Sequence, residues 1–584
     1  MFQVVLFCKI SEMLTYCDSC DYSFCMKVQE ITQKRITMFK PKLFEILKQN
    51  YTKSMFVKDL VSGITVGIVA LPLAIAFAIG ANASPMQGLW TAIIAGFSIA
   101  LLGGSRYQVS GPTGAFVVII AGVIAQYGMD GLITATFLAG VLLVILGALK
   151  LGSLIKFIPY PVTVGFTTGI GFVIAGGQIK DFLGLTIPDY KAEFFERMEQ
   201  IVHYIGTINY YAAGIGIVTI VIILLIRKLF PRLPAAIIAV ILTTLTVYVL
   251  KLPVETISTR FGALSSALLT LKVPAISWNL IRTLLPAAVT IAFLGSIESL
   301  LSAVVADGMT GDKHDSNTEL MAQGVGNMLC GLAGCIPATG AIARTATNIK
   351  NGAVSPISAI IHALVLLIFT LFASNLASAI PLATLSGILL VVAWDMAELR
   401  RFLNMKTAPK SDALVMLTTF ALTVAVDLTV AVEIGLILAV FLFVKRMSET
   451  VKISTFETIL DKTTEEPKQE SHELAKGIEV YEINGPFFFG NADILQDTLE
   501  QLEKPPRVFI LRMRHVPAID ATAVNALVSF IKHCKHHKTQ LILSEVNEQP
   551  QKVLESMGIA EMIGKEHVCS DFTTAVEQAK QCLK

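Results

Sequence analysis

Gly111-Pro112-Thr113-Gly114 and Pro337-Ala338-Thr339-Gly340 each interrupt a hydrophobic run and open a helix too short to cross a bilayer. The apolar segment after the first ends near residue 126, and the one after the second ends at Lys350. A membrane-spanning helix takes about 20 apolar residues. Outward from these two points, the hydrophobic stretch from about 61 to 446 divides into fourteen segments. The first seven lie near 62–80, 86–103, 113–126, 131–149, 161–179, 211–230 and 234–251. The second seven lie near 284–306, 318–334, 339–350, 354–374, 380–394, 411–426 and 429–446. Each stunted segment is third in its set. Short, Gly/Pro-interrupted segments at matching positions point to a transporter built from inverted repeats. Non-helical backbone at membrane depth survives only where it is buried in protein or lines a cavity. Two half-helices meeting there would aim their N–H groups at one spot, each N-terminus carrying about half a positive charge, which makes an anion site. Taken singly, either motif reads better as a set of helix-packing glycines. The matched placement favours the site.

Composition agrees with a polytopic membrane protein. Of 584 residues, 54% are apolar and 15% charged, with mean hydropathy +0.67, whereas soluble domains carry about 25% charged residues. A soluble enzyme and a disordered chain are excluded. With 46 basic and 44 acidic residues, net charge +2, no global field selects nucleic acid. No cofactor and no metal site is expected. Residues 1–60 are assigned to a cytoplasmic N-terminal segment, with Met38 as an alternative start. Cys17-x-x-Cys20 within it lacks the second ligand pair of a zinc site. Arg106, Lys150, Lys156, Arg227, Lys228, Arg232, Lys313, Lys350, Arg400, Arg401, Lys406 and Lys410 fall in loops on one side, and Lys180, Lys191, Arg197, Lys251, Arg260, Lys272 and Arg282 on the other. Twelve against seven places both termini in the cytoplasm of a plasma or inner membrane.

After Arg446 the composition becomes that of a soluble domain. A charged linker (447–476) precedes strand-like runs at 478–483, 487–489, 508–513 and 540–546, with helical patterns near 491–503, 520–535, 549–557 and 570–582. Alternating strands and helices predict a small α/β domain over 477–584 with a mostly parallel sheet.

Within the bilayer segment, Glu298 stands in mid-helix, in Gly295-Ser296-Ile297-Glu298-Ser299-Leu300-Leu301-Ser302. An intramembrane acid is costly and is by default functional. Ser302 lies one turn on, on the same face. Glu298 is a candidate proton carrier, a Na+ ligand together with Ser302, or a buried acid with a structural partner. Arg344, four residues into the short tenth segment, stays protonated and so must meet an acid, carbonyls or an anionic substrate, unless it snorkels to the headgroups. Phe77 and Phe116 sit near the same level and are candidate pocket walls. Asp307, Asp395, Asp427 and Glu433 fall near segment ends, where loop and cap roles suffice.

Ser84-Pro85-Met86-Gln87-Gly88-Leu89-Trp90, Gly103-Gly104-Ser105-Arg106, Gly111-Pro112-Thr113-Gly114-Ala115-Phe116 and Glu319-Leu320-x-x-Gln323-Gly324-x-x-Asn327 together resemble the sulfate permease (SulP) family of anion transporters. The tail, Val508-Phe509-Ile510-Leu511 to Ala518-Ile519-Asp520-Ala521-Thr522-Ala523, resembles a STAS domain. The resemblance implies a seven-plus-seven inverted repeat, with a core of spans 1–4 and 8–11 moving against a gate of spans 5–7 and 12–14, and often a dimer. It implies a pocket lined by Phe77, Thr113, Gly114, Ala115 and Phe116 from the first repeat. Ala338, Thr339, Gly340, Ala341, Ile342 and Ala343 would supply N–H groups from the second, with Arg344 at the basic position. Glu298 and Ser302 would occupy the coupling positions, where members coupling bicarbonate to sodium carry Asp and Thr; Glu and Ser lean toward protons. Ala521 stands where a phosphorylatable Ser follows the Asp in related domains, leaving a regulatory protein partner as the tail's expected role. The combined expectation is secondary active transport of a small inorganic anion, sulfate first and with protons. Bicarbonate or a C4-dicarboxylate is the alternative within the class, and a passive anion channel the alternative outside it.

Overall fold

A computed structural model describes residues 39–48, 51–153, 159–188, 190–191, 193–230, 233–262, 277–426, 428–455, 475–492 and 505–583. The chain divides into two compact units, the first ending at Leu436 and the second beginning at Ile437.

The first unit is helical. Its first set comprises α1 (Lys53–Gly80), α2 (Pro85–Leu102), α3 (Gly114–Ala148), α4 (Tyr160–Leu183), α5 (Tyr210–Leu229) and α6 (Ala235–Leu250). The second comprises α7 (Trp278–Thr310), α8 (Ser316–Leu332), α9 (Ile342–Lys350), α10 (Ile357–Phe372), α11 (Leu382–Met396), α12 (Lys410–Ala425) and the start of α13 (Leu428–Thr450), which runs on into the second unit. α3 turns sharply at Gly128, where φ is 70° and ψ −177°. It is therefore two helices end to end, the third and fourth expected segments, joined at a glycine that tolerates a positive φ that would strain another residue. Among the described residues, seven helices are long and apolar enough to cross a membrane, and the apolar α6 and α10 are shorter. Tyr210, Tyr248 and Trp278 stand exposed at helix ends, the usual station of aromatic side chains at a bilayer surface.

The helix pairings map onto one another when the two sets are exchanged. α1 packs on α10 as α7 packs on α3; α2 on α10 as α8 on α3; α4 on α12 as α11 on α5. The α2–α8 and α4–α11 pairs map onto themselves. Lipid gives apolar helices no hydrophobic reason to associate, so small residues must let the backbones close up. At the α3–α8 crossing, a methyl on either Gly140 or Gly324 would fall 2.6 Å from the other's carbonyl oxygen. The helix-packing role expected of a lone glycine is therefore found here, away from the half-helices.

The second unit carries a five-stranded sheet in the order β3-β4-β5-β6-β7 (Lys452–Thr455, Ile478–Asn484, Val508–His515, Gln540–Ser544, Val568–Cys569), where β1 and β2 are the two-residue strands of the first unit, Ser110–Gly111 and Thr339–Gly340. Only β3 is antiparallel to its neighbour. Central β5 is buried on both faces, as parallel sheets require. Phe509, Leu511 and Met513 pack beneath α14 (Ala521–His536), and Val508 and Ile510 beneath α16 (Phe572–Cys582). Helix α15 (Glu548–Ser556) lies between them in sequence. Asp520 caps α14, its carboxylate accepting from the Ala523 amide at 2.8 Å and the Phe489 amide at 3.1 Å. The expected strand at 487–489 reduces to one bridge, Phe487 to Ile519, because Pro486 and Gly490 bracket too short a run to extend a ladder. β3 and β7 were not legible as strands. The expected helix near 491–503 and most of the linker lie outside the described residues.

Candidate functional site

The two interrupted motifs meet. β1 and β2 pair antiparallel, Ser110 with Gly340 and Gly111 with Thr339, so each break in the helical ladder supplies hydrogen-bonding groups to the other. Gly111 has φ 155°, and a Cβ there would lie 2.5 Å from Nη1 of Arg344; both conformation and space demand glycine. Asn327 of α8 clamps the second strand's approach, donating to the Ala338 carbonyl at 2.8 Å and accepting from its amide at 2.9 Å. The Ala341 amide donates to the Val109 carbonyl at 2.9 Å, and the Val109 amide to the Thr345 hydroxyl at 3.1 Å. Of the six residues expected to offer amides from the second repeat, Ala338 and Ala341 are thus already engaged, and Thr339 and Gly340 belong to the ladder.

Beyond the crossing, both half-helices begin without a side-chain cap. Thr113 is the N-cap of α3 and Ala341 that of α9, and neither side chain accepts from its helix. A helix leaves its first N–H groups without internal partners. Those of Gly114, Ala115 and Phe116 on one side, and of Ile342, Ala343 and Arg344 on the other, form two positive helix ends.

The Thr113 hydroxyl, which ordinarily would cap, donates instead to Oε2 of Glu298 at 2.7 Å. Glu298 keeps part of its surface open, although the helix turns on either side of it are buried. Ser302, one turn on, turns to the other half-helix and donates to Thr345 at 3.0 Å. Thr339 donates to the Gly295 carbonyl at 2.8 Å. Helix α7 therefore braces both half-helices, through Glu298 for α3 and through Gly295 and Ser302 for α9. Glu298 and Ser302 thus bond to different half-helices.

Arg344 is buried, does not snorkel, and donates through Nη2 to the Pro112 carbonyl, tying the second half-helix to the start of the first. Its Nη1 is buried with no protein partner. A guanidinium in the first turn opposes the helix dipole and so deepens the positive potential at the crossing. Phe77 is buried near Gly114, and Phe116 is fully buried near Gly295. Ile342 and Ala343 are exposed.

Behind the crossing lies a buried polar cluster that the sequence did not single out as functional. Glu319 accepts from the amides of Gly104 and Ser105 at 3.0 and 3.1 Å and from the side-chain amides of Gln108 and Gln323 at 2.9 and 3.1 Å. Gln108 also donates to Ser299, and Gln323 to Ser110, at 2.7 and 3.0 Å. The spacing Glu319-x-x-x-Gln323-x-x-x-Asn327 was a signal, since it sets three polar side chains on one helix face; Gln108 gave none.

Residues 56–419 match the sulfate permease family, and residues 472–578 match the STAS domain. The chain belongs to the sulfate permease family. Within it, the chain is 44% identical over 524 residues to YvdB of Bacillus subtilis, to which a sulfate-transporter name is provisionally attached; the match covers 89% of this chain and 97% of that one. It is 30% identical over 513 residues to the bicarbonate transporter BicA of Picosynechococcus, covering 85% and 90%. The murine Slc26a9 anion transporter, solved in its inward-facing state, superposes with a TM-score of 0.83 over 97% of this chain and 96% of that one at 18% identity, a likeness of fold. The transmembrane domain of BicA superposes at 0.59 with 32% identity, covering 67% of this chain and 98% of that one. The sulfate permease relatives are multi-pass membrane anion transporters, not enzymes.

Proposed function

We propose that this chain moves a small inorganic anion, sulfate first, together with a proton, by alternating access in a plasma or inner membrane with both termini in the cytoplasm. The observation that carries the proposal is the meeting of two uncapped half-helices at a crossing where one hydroxyl, Thr113, is bound to the intramembrane acid Glu298. At about half a charge per helix end and one for Arg344, the crossing offers roughly two positive charges when Glu298 is protonated and roughly one when it is ionised. A divalent anion is matched by the protonated state, which couples the two fluxes electrostatically. Core helices α1–α3 and α7–α10 would carry anion and proton past a gate of α4–α6 and α11–α13, a two-repeat movement that the exchangeable packing supports.

Substrate contacts are assigned to the free amides of Gly114, Ala115, Phe116, Ile342 and Ala343, with Arg344 supplying fixed charge and Phe77 a wall. The transport unit is taken as 61–446 and the STAS unit as 477–584. The STAS tail is assigned to regulation by a protein partner, and the functional particle to a homodimer. The 30% identity to BicA favours one second reading, bicarbonate carriage, for which sodium is the coupling ion to test. Uptake of labelled sulfate, bicarbonate and fumarate into proteoliposomes, under imposed pH or Na+ gradients, decides between them. Sulfate accumulation driven by an inward proton gradient is expected. Accumulation driven by Na+ alone, or flux that never concentrates the anion, overturns the proposal.

A further inference from the structure

The first half-helix has an apolar neighbour close beside its first residue. A Cβ built on Gly114, the first residue of α3, would lie 2.7 Å from Sδ of Met396, 3.4 Å from Cε1 of Phe77 and 3.6 Å from Cδ1 of Ile174. Met396 is the last residue of α11 and is partly buried. Its backbone is held hard against α4. A methyl on Gly171 would meet the Ala393 carbonyl at 2.7 Å, and the Thr168 hydroxyl donates to the Ala397 carbonyl at 2.6 Å. The residues three before and one after Met396 are therefore both fixed to α4, while its sulfur lies against Gly114 of α3.

We propose that Met396 is the seal between the two moving parts, closing the mouth of the first half-helix and leaving it when the anion passes. The inference deepens the reading given above and rests on it. A thioether suits the task. It is unbranched, adapts to irregular gaps, and is too weak an acceptor to hold the half-helix amides against an anion. Phe77 and Ile174 crowd the same side of Gly114, so an anion that came to lie there would shed part of its hydration. The fixed backbone and the reaching side chain let the contact break by side-chain rotation or by sliding of α1 and α3 past α4 and α11, without unfolding either pair.

The test uses the full-length protein in proteoliposomes, with Met396→Ala, Met396→Gln and Met396→Leu, each checked for a monodisperse preparation. Gln keeps the length and volume of Met while making its end polar, so a packing defect and a broken seal are separated. In the Ala and Gln variants, leak of preloaded labelled sulfate without a driving gradient is expected to rise roughly tenfold, the factor matching loss of one buried Met-sized apolar contact. The Leu variant is expected to stay tight. Leak and half-saturation unchanged in both Ala and Gln variants, while Arg344→Ala weakens sulfate uptake, overturn the seal and leave the anion site standing. Native uptake in Arg344→Ala and Glu298→Gln overturns the anion site, and the seal with it.

Discussion

The two half-helix starts share a backbone plan and differ in chemistry. At the first, Thr113 gives its hydroxyl to Glu298, and no fixed charge is contributed by the first turn of α3. At the second, Thr339 gives its hydroxyl to the backbone of α7, and the first turn of α9 contributes Arg344. A permanent positive charge and a group able to release a proton thus lie on opposite sides of one crossing. If the repeats were equivalent, two acids or two arginines would meet there, giving either repulsion or an anion trap with no means of release. The division of labour lets one half attract the anion and the other vary the local charge.

The largest expected effect tests the variable half. Glu298→Gln keeps the shape and the Thr113 contact but cannot ionise, so sulfate uptake driven by a pH gradient should fall to background while exchange of sulfate for sulfate persists. Proton-driven uptake at the native level breaks the comparison. Next, Arg344→Ala removes the fixed charge and leaves the buried Pro112 carbonyl without its donor. At about 1.5–3 kcal/mol for a hydrogen bond to a charged group, half-saturation for sulfate should rise by roughly ten- to a hundredfold, read from uptake against concentration. Thr113→Val removes one donor from Glu298 at almost constant volume. It should shift the pH dependence of uptake and slow it by roughly tenfold, at the lower end of the same range. Thr339→Val removes a neutral bond of about 0.5–1.5 kcal/mol, and should change initial rates by roughly two- to tenfold with the pH profile unmoved. An equal pH shift in the Thr113 and Thr339 variants would show that the halves do not differ in role.

Much of this was legible from the chain. Hydrophobic run length and the Gly/Pro breaks placed the segments, because a bilayer imposes both length and helical backbone. Glu298 and Arg344 stood out because charge inside lipid is costly. The sequence could not reveal direction. Helical spacing put Glu298 and Ser302 on one face, yet the two side chains bond to different half-helices. Arg344 turns back to a carbonyl 232 positions earlier, a relation that no local pattern encodes. Met396 and Gln108 owe their places to similarly distant contacts. In the second unit, β3 and β7 are short edge strands, and so few residues fix no pattern of alternation.

The Arg344–Pro112 tie also has a consequence for how the chain is made. Its partners are 232 residues apart, so at the usual 5–20 residues per second the first motif leaves the ribosome roughly ten to fifty seconds before its counterpart. Through that interval β1 has no strand to pair with, and unpaired peptide groups are intolerable in hydrocarbon. The crossing is therefore complete only once the second half of the chain has followed the first.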